Sequence, residues 1–140
     1  MKIAVVYWSS TGNTEAMAQA VVEGAKHAGA EAELFTAAEF DGGKMDEFDA
    51  VAFGCPAMGA EELEDGEFAP MFETCESKLS GKKIALFGSY GWGDGEWMRG
   101  WEKDCDDSGI RLVCESVTCC EAPDDAALDA CRALGKELAK

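Results

Sequence analysis

The sequence predicts an α/β fold, a three-layer sandwich in which five parallel strands are covered by helices on both faces. Three observations carry that prediction. Residues 3–8, 49–55 and 84–87 are continuous apolar runs of strand length, as strands buried on both faces require. Segments with apolar residues three and four apart, as on one face of a helix, separate them. Three loops rich in glycine, serine or threonine follow the first, third and fourth strands, where ligands bind beyond the carboxyl ends of a doubly wound sheet.

In chain order, residues 3–8 form the first strand, and Met17, Ala18, Val21, Val22 and Ala25 define a helix ending near Gly29. Residues 30–35 alternate weakly and read as a short edge-type strand. Residues 41–47 are polar and Gly-rich, a loop holding at most a helical turn. The next buried strand, 49–55, is stopped by Pro56. Phe68, Met71, Phe72, Cys75 and Leu79 mark a helix ending at residues 80–81, after which Lys82 and Lys83 open the strand 84–87. Trp97, Met98, Trp101 and Cys105 line one face of the following helix. Residues 111–118 are expected as the fifth strand, and Pro123, Asp124 and Asp125 open a last helix carrying Leu128, Cys131, Leu134 and Leu138. No repeat or linker interrupts the pattern, so residues 1–140 are read as a single domain.

Composition narrows the function. The chain has 28 acidic and 12 basic residues, a net charge of −16, which argues against nucleic acid and anionic membranes and for partners with basic docking faces. No apolar run approaches membrane-span length, and residue 1 leads directly into a strand pattern, so a cytoplasmic monomer is expected. Seven cysteines without a C-x-x-C pair, beside the single histidine His27, read as reduced core residues rather than a metal site. Cys119 and Cys120 are adjacent but should point to opposite faces of a strand.

The loop Ser9, Ser10, Thr11, Gly12, Asn13, Thr14 lies between strand and helix. Backbone N–H groups at a helix N-terminus, with short hydroxyl and amide side chains, make a seat for phosphate. Caps and tight turns favour the same residue types, so this segment alone fits either use. It contains no lysine or arginine, so an anion there would be held by dipoles alone. In the other two loops, Met58 and Trp92 lie among flexible residues. A thioether facing an indole forms a slot for a planar ring, although a loop tryptophan also commonly packs on its own core. Together the three loops suit a phosphorylated flat heterocycle.

These three segments (9–14; Cys55, Pro56, Ala57, Met58, Gly59; and 88–95) closely resemble the flavin mononucleotide (FMN) loops of flavodoxins of the short-chain, clostridial type, over the whole chain. The resemblance implies the flavodoxin-like strand order 2-1-3-4-5 and non-covalently bound FMN. Cofactor contacts are then expected from Ser9, Ser10, Thr11, Gly12, Asn13, Thr14, Pro56, Ala57, Met58, Gly59, Ala60, Glu61, Ser89, Tyr90, Gly91, Trp92 and Gly93. Within that set it implies that Ser9, Thr11, Asn13, Thr14 and Ser89 hold the phosphate and that Met58 and Trp92 flank the ring. Glu61 would accept from the flavin N(3)–H, and the Gly59–Ala60 peptide would turn its carbonyl toward N(5), a motion that glycine permits cheaply. The implied function is a low-potential one-electron carrier working mainly between semiquinone and hydroquinone, with no catalytic residues and no metal. Cys120 stands where many relatives have Asn, Pro56 where some have Ser, and Ala60 where others have Asp or Ser, which puts a ribityl or phosphate contact and the cost of the peptide flip in question.

Charge adds an expectation independent of family. Glu15, Glu61, Glu62, Glu64, Asp65, Glu67, Asp94, Glu96, Glu121, Asp124 and Asp125 should crowd the ligand edge, where they repel added electrons and attract basic-faced redox enzymes. Some of them will simply be solvated or will cap helices. The competing enzymatic reading is an FMN reductase of the quinone or azo type fed by a nicotinamide, which needs room over the flavin that this compact chain does not offer. A receiver domain lacks its acidic pair here, a P-loop hydrolase its lysine, and a tyrosine phosphatase its C-x5-R loop.

Overall fold

The computed structural model describes residues 1–58, 62–91 and 93–140. Five strands form one sheet: β1 (Lys2–Tyr7), β2 (Glu31–Thr36), β3 (Ala50–Gly54), β4 (Lys83–Tyr90) and β5 (Val117–Cys120). All pairings are parallel and the order is β2-β1-β3-β4-β5, as expected. Among the described residues α1 (Asn13–His27), α2 (Phe68–Glu76) and α3 (Glu96–Asp107) connect strands, α4 (Asp125–Leu138) follows β5, and short 3-10 turns at Ala37–Glu39 and Met45–Glu47 lie between β2 and β3.

The pleat explains the layering. Ile3, Val5 and Tyr7 of β1 join Met17 and Val21 of α1 and Leu134 and Leu138 of α4 in one core. Ala4 and Val6 face the other way, into a core with Phe68 and Phe72 of α2 and Trp97 and Trp101 of α3. That second core is aromatic: Phe53, Phe68, Phe72 and Trp101 meet edge to face at centroid separations of 5.0–6.5 Å. β2, at the sheet edge, is half exposed, which is why its pattern was weak.

On the first face, α1 and α4 touch backbone to backbone. A Cβ on Gly24 would run into the Arg132 carbonyl, and one on Gly135 into the Val21 carbonyl. A glycine inside a helix ordinarily costs about 0.5–1 kcal/mol relative to alanine, but here a methyl would force the helices apart at a typical cost of about 1–3 kcal/mol. The second effect wins. Gly135→Ala is expected to lower the urea midpoint with an unchanged slope.

Three elements depart from the sequence reading, α2 among them, which ends at Glu76 and leaves Leu79 beyond the helix. β4 does not stop at Phe87 but continues through Gly88, Ser89 and Tyr90. Gly88 belongs in the strand because a Cβ there would strike the Cys55 carbonyl on β3's continuation. The fifth strand also falls later than residues 111–118. Leu112 makes a lone bridge to Ile84, and regular pairing resumes only at Val117 opposite Phe87. The chain thus spends five residues where β4 spends three, an excursion of the kind that blunts sheet edges. Ser116 anchors it by donating to the Glu102 carboxylate at 2.7 Å.

Candidate functional site at the carboxyl edge of the sheet

The carboxyl ends of β1, β3, β4 and β5 meet at one edge. After β1 the chain turns through Ser9, whose Oγ accepts the Gly12 N–H at 3.0 Å. Gly12 is left-handed, with φ 94°, a conformation open to glycine at little cost, and no side chain caps α1. The positive end of that helix is therefore left for something else. In its first turn, Thr14 is buried, and its hydroxyl meets that of Ser89, also buried, at 3.0 Å across the sheet.

A cleft of about 240 Å³ opens above, lined by Ser10, Thr11, Asn13, Pro56, Ala57, Met58, Ser89, Tyr90, Gly91 and Glu121. None of these carries positive charge and Glu121 is acidic, so an anion seated here would be held by hydroxyls, amides and a helix dipole alone. The loop carrying Pro56, Ala57 and Met58 is tied to the sheet where Cys55 N–H donates to the Phe87 carbonyl at 3.1 Å and Ala57 N–H to that of Ser89 at 3.0 Å. Trp97 Nε1 donates to the Cys55 carbonyl at 3.1 Å.

Most predicted residues meet at this cleft. Nine line it: Ser10, Thr11, Asn13, Pro56, Ala57, Met58, Ser89, Tyr90 and Gly91. Thr14 reaches it through Ser89. Ser9 and Gly12 face instead a neighbouring cavity of about 320 Å³ with Tyr7, Trp8, Glu15 and Glu67. There the Tyr7 hydroxyl donates to Glu15 at 3.0 Å and Trp8 Nε1 to Glu67 at 3.1 Å. Burial, with Glu15 beside it, raises the Tyr7 pKa. Gly93 is exposed and lines neither space. Gly59, Ala60, Glu61 and Trp92 lie outside the described residues.

Glu121 was expected only as a general contributor to negative charge at this edge. The structure puts it in the cleft wall, with φ 59°, rare for a residue other than glycine, and its N–H bonded to the Tyr90 carbonyl at 2.7 Å. The signal for it was its place directly after the last strand, at the edge where ligands bind.

Several of the other expected edge acids have structural work. Asp94 pairs with Arg99 at 2.9 Å, which with its hydrogen bond holds the carboxyl below the usual range. Asp124 caps α4 by accepting the Ala127 N–H at 2.8 Å. Glu64 accepts three backbone N–H groups: Gly66 and Glu67 at 2.7 Å and Phe68 at 2.8 Å. Burial pushes the Glu64 pKa up, but those donors outweigh it and leave the carboxyl below its ordinary 4.5. The resulting stabilisation is complete above about pH 4.5 and is lost as pH falls through the lowered native value.

The seven cysteines are all free thiols. Burial pushes Cys55, Cys105 and Cys131 up to about 12 and Cys75 to about 11, so they stay protonated and inert. Cys119 is half buried, its Sγ 3.5 Å from Met17 Sδ, while Cys120 on the opposite face is exposed, as the strand alternation predicted. Brief treatment with a maleimide at neutral pH is expected to label Cys120 first, and the four buried thiols only after unfolding, by peptide mass spectrometry.

A parallel sheet in this order, with an uncapped helix N-terminus and a hydroxyl-lined cleft at its carboxyl edge, defines a protein that binds a phosphorylated cofactor at the switch in strand order. Comparison with known proteins makes the class specific. The flavodoxin family profile matches residues 5–135. The chain is 44% identical to the flavodoxin of Megasphaera elsdenii over 141 residues, covering 99% of this chain and 98% of that protein. It is 42% identical to that of Clostridium beijerinckii over 135 residues, covering 96% and 97%. The solution structure of two-electron reduced Megasphaera elsdenii flavodoxin superposes with a TM-score of 0.89 at 43% identity, covering 98% of each chain. The chain belongs to the flavodoxin family. It is therefore an FMN-binding, low-potential electron carrier rather than an enzyme turning over its own substrate, and the reductase reading is not favoured.

Proposed function

We propose that the FMN phosphate is held by Ser10, Thr11, Asn13, Thr14 and Ser89 with the N-terminus of α1, Ser9 and Gly12 shaping the turn. The ring then lies between Met58 and Trp92, with Gly59, Ala60, Glu61, Tyr90, Gly91 and Gly93 along its edge and Pro56 and Ala57 in the wall. FMN supplies one-electron chemistry that no side chain of this protein has. What the chain adds is a cation-free seat, an acidic surround and a ring slot. The reading rests most on the cleft at the start of α1, where Ser10, Thr11, Asn13 and Ser89 converge on one space beside the helix N-terminus. The chain acts as a cytoplasmic monomer that meets basic-faced redox enzymes at the acidic edge. The test is a visible spectrum of the purified protein during stepwise reduction, with size exclusion for its state. A yellow monomer reduced in two separated one-electron steps is expected, and a colourless protein that takes up no FMN would overturn the reading.

A further inference from the structure

The loop leaving β3 reaches α2 by two limbs that are held very differently. The outgoing limb is part of the sheet, through the N–H groups of Cys55 and Ala57. The returning limb, residues 62–67, belongs to no strand of the sheet among the described residues. Its attachments to the outgoing limb are an exchange of backbone hydrogen bonds between Met58 and Glu62, 2.9 Å each way, and the Glu64 N–H bonded to the Cys55 Sγ at 3.4 Å. A cavity of about 210 Å³ lies among Met58 and residues 62–65, and the limb is held by Leu63 packing on the second core and by hydrogen bonds.

The strongest of those bonds converge on one side chain. Glu67 stands at the N-cap of α2 without a side-chain cap of its own. Glu64 takes its place: Oε1 accepts from Glu67 and Phe68, and Oε2 from Gly66. An ordinary N-cap satisfies one such donor, whereas this carboxylate satisfies two at the helix start and a third on Gly66 before it, with charge-assisted bonds at the positive end of a helix. Two residues before it, Glu62 grips Met58, which lines the FMN cleft.

We propose that Glu64 is the positioning residue of the flavin-edge loop, clamping its returning limb to α2 and thereby holding Met58 in the arrangement that binds FMN and sets its potentials. The inference rests on the reading of this cleft as the FMN site. It separates Glu64, whose side chain caps the helix, from Glu62, which meets Met58 through its backbone, and from Glu67, which accepts from Trp8 Nε1.

The test compares wild type with Glu64→Ala, Glu64→Gln and Glu64→Asp. For each, FMN affinity of the apoprotein is read by fluorescence quenching, both one-electron potentials of the holoprotein by redox titration, and apoprotein stability by thermal melting. Losing a charge-assisted cap should weaken FMN binding about tenfold or more in Glu64→Ala and change the spacing between the two potentials, with Glu64→Gln restoring part of both. Wild type should lose affinity as pH falls below about 4.5, and Glu64→Gln should lack that component. A lower melting temperature with wild-type affinity and spacing would make Glu64 a plain helix cap and overturn the inference alone. Wild-type apoprotein that binds no FMN would overturn the reading of the site, and the inference with it. Should Glu64→Ala fail to fold, Glu64→Gln decides by the same readouts.

Discussion

Combining Ser89→Ala with Thr14→Val is expected to reduce the affinity of the apoprotein for FMN by about a hundredfold or more, leaving riboflavin binding nearly unchanged. The two hydroxyls face each other at 3.0 Å, buried, between the first turn of α1 and the end of β4. Bonds to a charged acceptor contribute about 1.5–3 kcal/mol each, and with no cation lining the cleft no charged donor compensates for their loss. Both replacements keep shape and apolar volume, so folding should suffer little once both hydroxyls are gone together. Either single change strands its partner in a buried position, and the two effects should therefore not add. Riboflavin is the control because it carries the ring without the phosphate. Equal losses for both ligands would show that the pair supports the cleft generally and does not hold the phosphate.

The architecture was legible because burial writes itself into residue type. β1 and β3, covered on both faces, are continuous apolar runs, and α3 places Trp97, Met98, Trp101 and Cys105 on one face at helical spacing. The end of β4 was not legible, since Gly88, Ser89 and Tyr90 have the composition of a loop. Only the close passage of the Cys55 carbonyl requires glycine there within a strand. β5 was misplaced for a related reason: residues 113–116 have strand composition, but two extra residues must leave the ladder before Val117 meets Phe87.

The cleft was legible in its loops, where hydroxyl-rich and glycine-rich segments follow strand ends. Individual duties within the acidic run were not. Glu62, Glu64 and Glu67 look alike in sequence, yet one pairs through its backbone with Met58, one caps a helix and one accepts from an indole 59 residues away in the chain. Those distinctions depend on which backbone donors the fold leaves open, and no local pattern records that.

They also decide which acids can test the electrostatic argument. Glu62 and Asp65 are exposed, and their carboxylates make no ion pair among the described residues, so neutralising them as Glu62→Gln with Asp65→Asn removes charge and little else. For a carboxylate at ~12 Å and an effective dielectric of ~50, repulsion of an added electron is about 0.5 kcal/mol, roughly 20 mV. The pair should thus raise the lower of the two potentials by about 40 mV at low ionic strength. The shift should shrink as salt is added, because the screening length is only about 10 Å at 0.1 M. Weaker salt dependence of electron transfer to a basic-faced acceptor should accompany it. Thr11→Lys, which places a cation in the cation-free seat itself, should move the same potential in the same direction. A lower potential that stays fixed in both variants at low salt would mean that charge at this edge does not make the protein a strong donor. The set point would then lie in the loop that Glu64 clamps.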